Sequence, residues 1–146
     1  MKRKYYFAYG SNMDETQMKK RCPHSKLVGV AILKGYRFVY DGYSSYRQGA
    51  VANLIKDQCE KVFGVLYEIS ETDEENLDRY EGYPVAYDKK EVEVEDLKRR
   101  KYKALVYLRE PRTIGKPSRK YEMTIITTAR KFGFPEEYIN KFLKVE

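Results

Sequence analysis

Between Leu27 and Ile69 the chain runs through closely spaced segments rich in β-branched and aromatic residues, with only short polar breaks. Leu27 to Phe38 alternates and carries Val28, Val30 and Ile32, then Gly35-Tyr36-Arg37-Phe38-Val39-Tyr40. It reads as one long strand kinked at Gly35, or as two strands meeting there. Gly49 to Ile55 reads as a second strand, Lys56-Asp57-Gln58 as a turn, and Val62 to Ile69 as a third strand. Strands this close in sequence predict a curled, barrel-like sheet.

The flanks add helices and more strands. Tyr5 to Ala8 predicts a first strand, and Asp14 to Arg21 a short helix with Asn12 or Asp14 as its N-cap. Ser70 to Tyr80 predicts a helix capped by Ser70 or Thr72 and stopped at Gly82-Tyr83-Pro84. Tyr87 to Glu95 and Lys101 to Leu108 form a hairpin across Asp96–Arg100, and the Lys98-Arg99-Arg100-Lys101 cluster becomes a solvated turn. Asp41–Arg47 and Glu110–Ser118 read as loops. Tyr121 to Phe132 and Pro135 to Phe142 are two helices divided by Gly133. The expected architecture is one α+β domain over residues 1–146, with a curled or barrel-like sheet and flanking helices.

Composition narrows the chemistry. Lys and Arg number 29 against 22 acids, a balance of +7 that raises the prior for acidic partners, although the charge is spread along the chain. Cys22 and Cys59 do not make a disulfide framework. With no signal peptide and no long apolar run, the expected setting is cytoplasmic, with no membrane partner. One histidine, His24 in a Pro-His-Ser turn, leaves no His-rich metal site and no elbow for a serine triad. Dinucleotide and P-loop fingerprints are absent, so no cofactor is expected. Chemistry here should run on carboxylates, tyrosines and backbone donors.

Two stretches can carry it. Tyr9-Gly10-Ser11-Asn12 joins the first strand to the first helix, and its N–H groups can form a small concave donor site. It is equally an ordinary strand-to-helix turn. Glu81 ends an acid-rich helix among Tyr80, Gly82 and Tyr83. The helix carbonyl end and burial against tyrosines would both push its carboxyl upward, toward the range of a general base. A surface acid beside a glycine cap is the other reading, and position alone leaves both open.

Taken together, these residues resemble the γ-glutamylcyclotransferase-like superfamily over nearly the whole chain. The likeness rests on Phe7-Ala8-Tyr9-Gly10-Ser11-Asn12-Met13, Ala31-x-Leu33-x-x-Tyr36-x-Phe38, Val62-x-Gly64-Val65-Leu66-Tyr67 and Leu77-Asp78-x-x-Glu81-Gly82. It continues through Tyr87, Tyr107-Leu108, Pro117-Ser118-x-x-Tyr121 and Gly133-Phe134-Pro135-x-x-Tyr138. The loop and the Glu-Gly turn are specific in combination, and neither is specific alone.

The resemblance implies a small mixed, barrel-like, six-stranded sheet with flanking helices, and a pocket between the first loop and the Glu-Gly turn. In it the backbone amides of Tyr9 to Asn12 hold the γ-glutamyl group of a small substrate, and Glu81 handles protons. The implied reaction is an intramolecular aminolysis that releases 5-oxoproline and an amine. Tyr87 and Tyr107 match family positions that line the pocket, but equally suit a barrel core. Tyr121 either closes the pocket or packs the last helix. Arg37 and Arg47 are candidates to neutralise a substrate carboxylate, and Asp41–Arg47 with Arg112–Lys116 are where substrate choice is expected. A homodimer is implied by the resemblance only. Two other classes stand beside this reading: a non-catalytic pocket protein for a small carboxylate, and a single-strand nucleic-acid binder motivated by the charge and the 15 tyrosines. The expected partner is the small γ-glutamyl substrate, with no nucleic acid.

Overall fold

A computed structural model describes residues 3–145. Five strands close into a barrel in the order β1-β3-β2-β4-β5. The strands are β1 (Arg3–Ala8), β2 (Lys26–Ser44), β3 (Gly49–Ser70), β4 (Asp88–Asp96) and β5 (Lys101–Leu108). Neighbours are antiparallel except at the closure, where β1 and β5 run parallel through Tyr5↔Ala104 and Tyr6↔Leu105.

The sheet is α+β and barrel-like as expected, but has five strands where six were expected. Gly49–Ile55 and Val62–Ile69 are two halves of one strand. Lys34 pairs with Lys61 and Tyr36 with Lys56, so residues 57–60 have no partner across β2. The predicted turn at Lys56–Gln58 is therefore an excursion opposite Gly35, whose φ of +86° suits glycine at the bulge. Both long strands continue past it, and beyond it Tyr36–Ser44 and Gly49–Lys56 pair with each other. The predicted loop at Asp41–Arg47 is also shorter. β2 extends to Ser44, leaving a turn at residues 45–48.

Helices cover the barrel: α1 (Glu15–Arg21), α2 (Glu71–Glu81), α3 (Arg119–Lys131) and a last turn α4 (Glu136–Tyr138) that widens into a π-helical Ile139–Leu143. Ser70 and Asp73 form a reciprocal capping box at the start of α2. Asp14 caps α1, and Ser118 caps α3. Apolar side chains at Ile125, Ile126 and Ala129 on α3, with Phe134 and Tyr138, pack onto Phe63 and the outer barrel wall. The Tyr40 hydroxyl donates to the Leu143 carbonyl at 2.8 Å and ties the C-terminal turn to β2. The basic cluster at Lys98–Lys101 does sit at a hairpin tip, where the Asp96 carboxylate accepts from the Lys98 and Arg100 amides. Among the described residues no helix is long and apolar enough to cross a membrane.

Candidate active site

One end of the barrel opens into a cavity of about 670 Å³. Its walls come from the loop after β1, the β2–β3 turn, the C-terminal end of α2, β5 and the start of α3. The predicted catalytic residue Glu81 and the predicted binding residues Tyr9, Gly10, Ser11, Asn12, Tyr87, Tyr107 and Tyr121 all lie in that wall.

The loop is built for close approach. A Cβ on Gly10 would meet the Ala52 Cβ at 3.1 Å and the Tyr121 hydroxyl at 3.7 Å, so glycine lets the backbone sit against β3. A 3-10 turn, Ser11–Met13, follows, in which Met13 N–H donates to the Gly10 carbonyl and Asp14 N–H to the Ser11 carbonyl. Among the described residues, the N–H groups of Gly10, Ser11 and Asn12 have no protein acceptor. Three successive free amides beside a helix start form a donor site for an anion or a developing oxyanion. The side chain of Asn12 works elsewhere. It donates to the Tyr6 hydroxyl at 3.0 Å and accepts from Arg21 Nη1, which braces the loop against α1.

Glu81 is the last residue of α2. The helix stops there because Gly82 adopts φ +70°, a left-handed conformation suited to glycine. Tyr83 N–H then closes back on the Asp78 carbonyl at 2.9 Å. The Glu81 carboxylate receives no hydrogen bond and no ion pair within 4 Å from the described residues. Burial pushes its carboxyl from an ordinary 4.5 up to about 7, while Arg21, Arg47 and Arg109 pull it back down. The shift expected from sequence is present, with burial as its main cause.

Phenols fix the remaining wall. The Tyr87 hydroxyl donates to the Ala52 carbonyl at 2.8 Å, and the Tyr121 hydroxyl accepts the Ala52 N–H at 3.0 Å. The Tyr9 hydroxyl donates to the Tyr107 carbonyl at 2.6 Å. Tyr107 itself is both wall and core, only 2% exposed, with its hydroxyl committed to Asp78. Burial raises Tyr6, Tyr9, Tyr87 and Tyr121 above the usual phenol value, so these groups are neutral hydrogen-bonding partners and not bases.

The arginines differ from expectation. Arg47 lines the cavity, but Arg37 lies outside it and faces Asp57 at 3.4 Å. Arg21 and Arg109 approach Glu81 closely enough to affect it and were not singled out from the sequence. Arg109 is buried, paired with Asp41 at 2.6 Å, and stacked 4.6 Å from the Tyr87 ring centroid. Its one sequence signal is a charge placed directly after the apolar run of β5. The Arg21 guanidinium stacks 3.1 Å from the Tyr80 ring centroid, which sequence spacing does not reveal.

The fold of this barrel matches solved structures closely. A structure described as a gamma-glutamyl cyclotransferase superposes with a TM-score of 0.92 at 25% identity, covering 99% of this chain and 89% of that one. YkqA from Bacillus subtilis superposes with a TM-score of 0.82 at 29% identity, over 97% of this chain and 53% of that one. The gamma-glutamylcyclotransferase of Mus musculus is 26% identical over 146 residues, spanning 97% of this chain and 78% of its own length. That of Homo sapiens is 27% identical over the same shares. The profile of the family described as gamma-glutamyl cyclotransferase, AIG2-like, matches residues 6–124. The chain belongs to that family, and it is an enzyme.

Proposed function

We propose that the chain converts a γ-glutamyl amine, amino acid or peptide into 5-oxoproline and the free amine, with Glu81 as general acid and base. The observation that carries this reading is one cavity holding both an unpaired carboxylate poised near pH 7 and three unpaired amides at Gly10, Ser11 and Asn12.

The chemistry requires no protein nucleophile. The substrate's α-amine enters as an ammonium and loses one proton to the Glu81 carboxylate. The free amine attacks the γ-carbonyl carbon of the same molecule, forming the ring C–N bond and an oxyanion. Holding the chain folded makes attack intramolecular, worth several kcal/mol of the barrier. The free amides of Gly10–Asn12 are matched to a substrate carboxylate or to that oxyanion. The attacking nitrogen's second proton and the proton on Glu81 leave the intermediate with one to give to the departing nitrogen. The old C–N bond then breaks, 5-oxoproline forms, and the remaining proton goes to solvent as Glu81 returns to its carboxylate. Neutral tyrosines Tyr9, Tyr87 and Tyr121 shape the pocket without competing for protons.

Incubation with a panel of γ-glutamyl amines, amino acids and peptides, read by mass for 5-oxoproline, tests the proposal. Product from at least one member is expected. Folded protein that yields none, yet is thermally stabilised by glutamate, would make the pocket a binding site only.

A further inference from the structure

The cavity is lined by Arg47, Arg109 and Arg112 against the single acid Glu81, and these cations are not equivalent. Arg109 is committed to Asp41 through Nη2, and its Nε and Nη1 are buried without a partner. Arg21, outside the lining, is committed to Asn12 and stacked on Tyr80. Arg112 lines the cavity beside Gly42 and is tied only through its backbone amide, to Asp41, so no side-chain hydrogen bond among the described residues orients it toward the loop or α2. Arg47 differs. It projects from the turn between β2 and β3, and one nitrogen, Nη2, makes both of its side-chain hydrogen bonds, to Ser11 Oγ at 3.3 Å and Tyr80 Oη at 3.1 Å. Both partners are neutral hydroxyls. Among the described residues no carboxylate lies within 4 Å of Arg47, and its Nε and Nη1 have no protein acceptor.

The guanidinium is also held in place. It lies 5.0 Å from the Tyr121 ring centroid and 5.4 Å from that of Tyr46, an aromatic setting that orients a planar fork. It bridges Ser11 in the loop and Tyr80, the neighbour of Glu81. It does so at the solvent side of the cavity, where Tyr43 and Tyr46 are 71% and 81% exposed. The γ-glutamyl portion has to fold against the loop amides and Glu81 for the ring to close. The departing portion must lie toward the side that opens to solvent.

We infer that Arg47 is a specificity residue that takes the carboxylate of the departing group, so that γ-glutamyl conjugates whose leaving amine bears an acid are preferred over those of uncharged amines. This rests on the cyclotransferase reading above. A free, planar guanidinium is matched to a bidentate carboxylate, and an amide or alkyl group in its place forfeits a charge-assisted pair.

The test compares γ-glutamyl-alanine with γ-glutamyl-alaninamide, which differ only by that acid. Both meet the same Glu81, so the ratio of their kcat/KM values cancels any change in its ionisation. Wild type is expected to favour the acid by about ten- to a hundredfold. Arg47→Gln should bring the ratio close to one, chiefly through KM for the acid, and Arg47→Lys should restore part of it. Equal turnover by wild type overturns the inference alone. So does an Arg47→Gln variant that loses both activities in equal proportion, which would assign Arg47 to the γ-glutamyl portion. No 5-oxoproline from either compound or from the wider panel overturns the underlying reading and this inference with it.

Discussion

Tyr107 donates its hydroxyl to Asp78 Oδ1 at 2.6 Å, and Asp78 lies one helical turn before Glu81. This contact pins the end of α2 to β5. Lys89 reinforces it by donating to Asp78 Oδ2 at 2.9 Å and to Glu74 Oε2 at 2.8 Å. Tyr107→Phe removes the hydroxyl and leaves Asp78 to Lys89. The expected cost is about 1–2 kcal/mol in urea denaturation. Looser placement of Glu81 should lower kcat more than it changes KM.

Glu81 sets a pH dependence of opposite sign for activity and stability. The carboxylate is the working form, so kcat/KM should rise through about pH 7 and level off above it. Stability runs the other way. The folded state holds the Glu81 proton more tightly than the unfolded chain, so its contribution is intact below 4.5 and is lost as pH rises through about 7. Glu81→Gln removes this half-buried charge. It should stabilise the protein at alkaline pH by about 1–3 kcal/mol, with little effect at acid pH. Thermal melts at the two extremes check the sign. The same variant should lose at least about a hundredfold in kcat.

The halves of the site were not equally legible. Ser70, Gly82 and Asp14 announce the ends of α2 and α1 because capping chemistry is local. The length of β3 was hidden because Lys56-Asp57-Gln58 has turn composition, and only the pairing with β2 shows the chain continuing past it. Glu81 drew attention through its neighbour Gly82. Its meeting with the Gly10–Asn12 loop depends on barrel closure, which no local pattern encodes and which the family resemblance supplied. Arg109 was missed because a charge at a strand end ordinarily faces water, and its buried partner Asp41 lies 68 residues away.

That buried pair should matter for stability. Asp41 is fully buried, and its carboxylate also accepts from Asn53 Nδ2 and the Arg112 amide. Asp41→Ala leaves the Arg109 guanidinium uncompensated and should cost about 3–5 kcal/mol in urea denaturation. The exposed Arg130–Glu136 pair provides the contrast. Glu136→Ala should change stability by less than about 1 kcal/mol.

Close packing at β3 gives a sharper steric test. A Cβ on Gly64 would lie 2.5 Å from Phe7 Cζ and 2.6 Å from the Ala8 carbonyl oxygen. The carbonyl belongs to a paired strand and cannot move aside. Gly64→Ala should destabilise by about 2 kcal/mol or more, visible as a lowered Tm.

The central claim is that the substrate's own amine, deprotonated by Glu81, displaces the leaving group. Running the reaction in heavy-oxygen water and weighing the products tests it most directly. The account predicts 5-oxoproline of natural mass, equal in amount to the released amine, and none above background from Glu81→Gln. Glutamate carrying one heavy oxygen would show water attacking the γ-carbonyl and would contradict it.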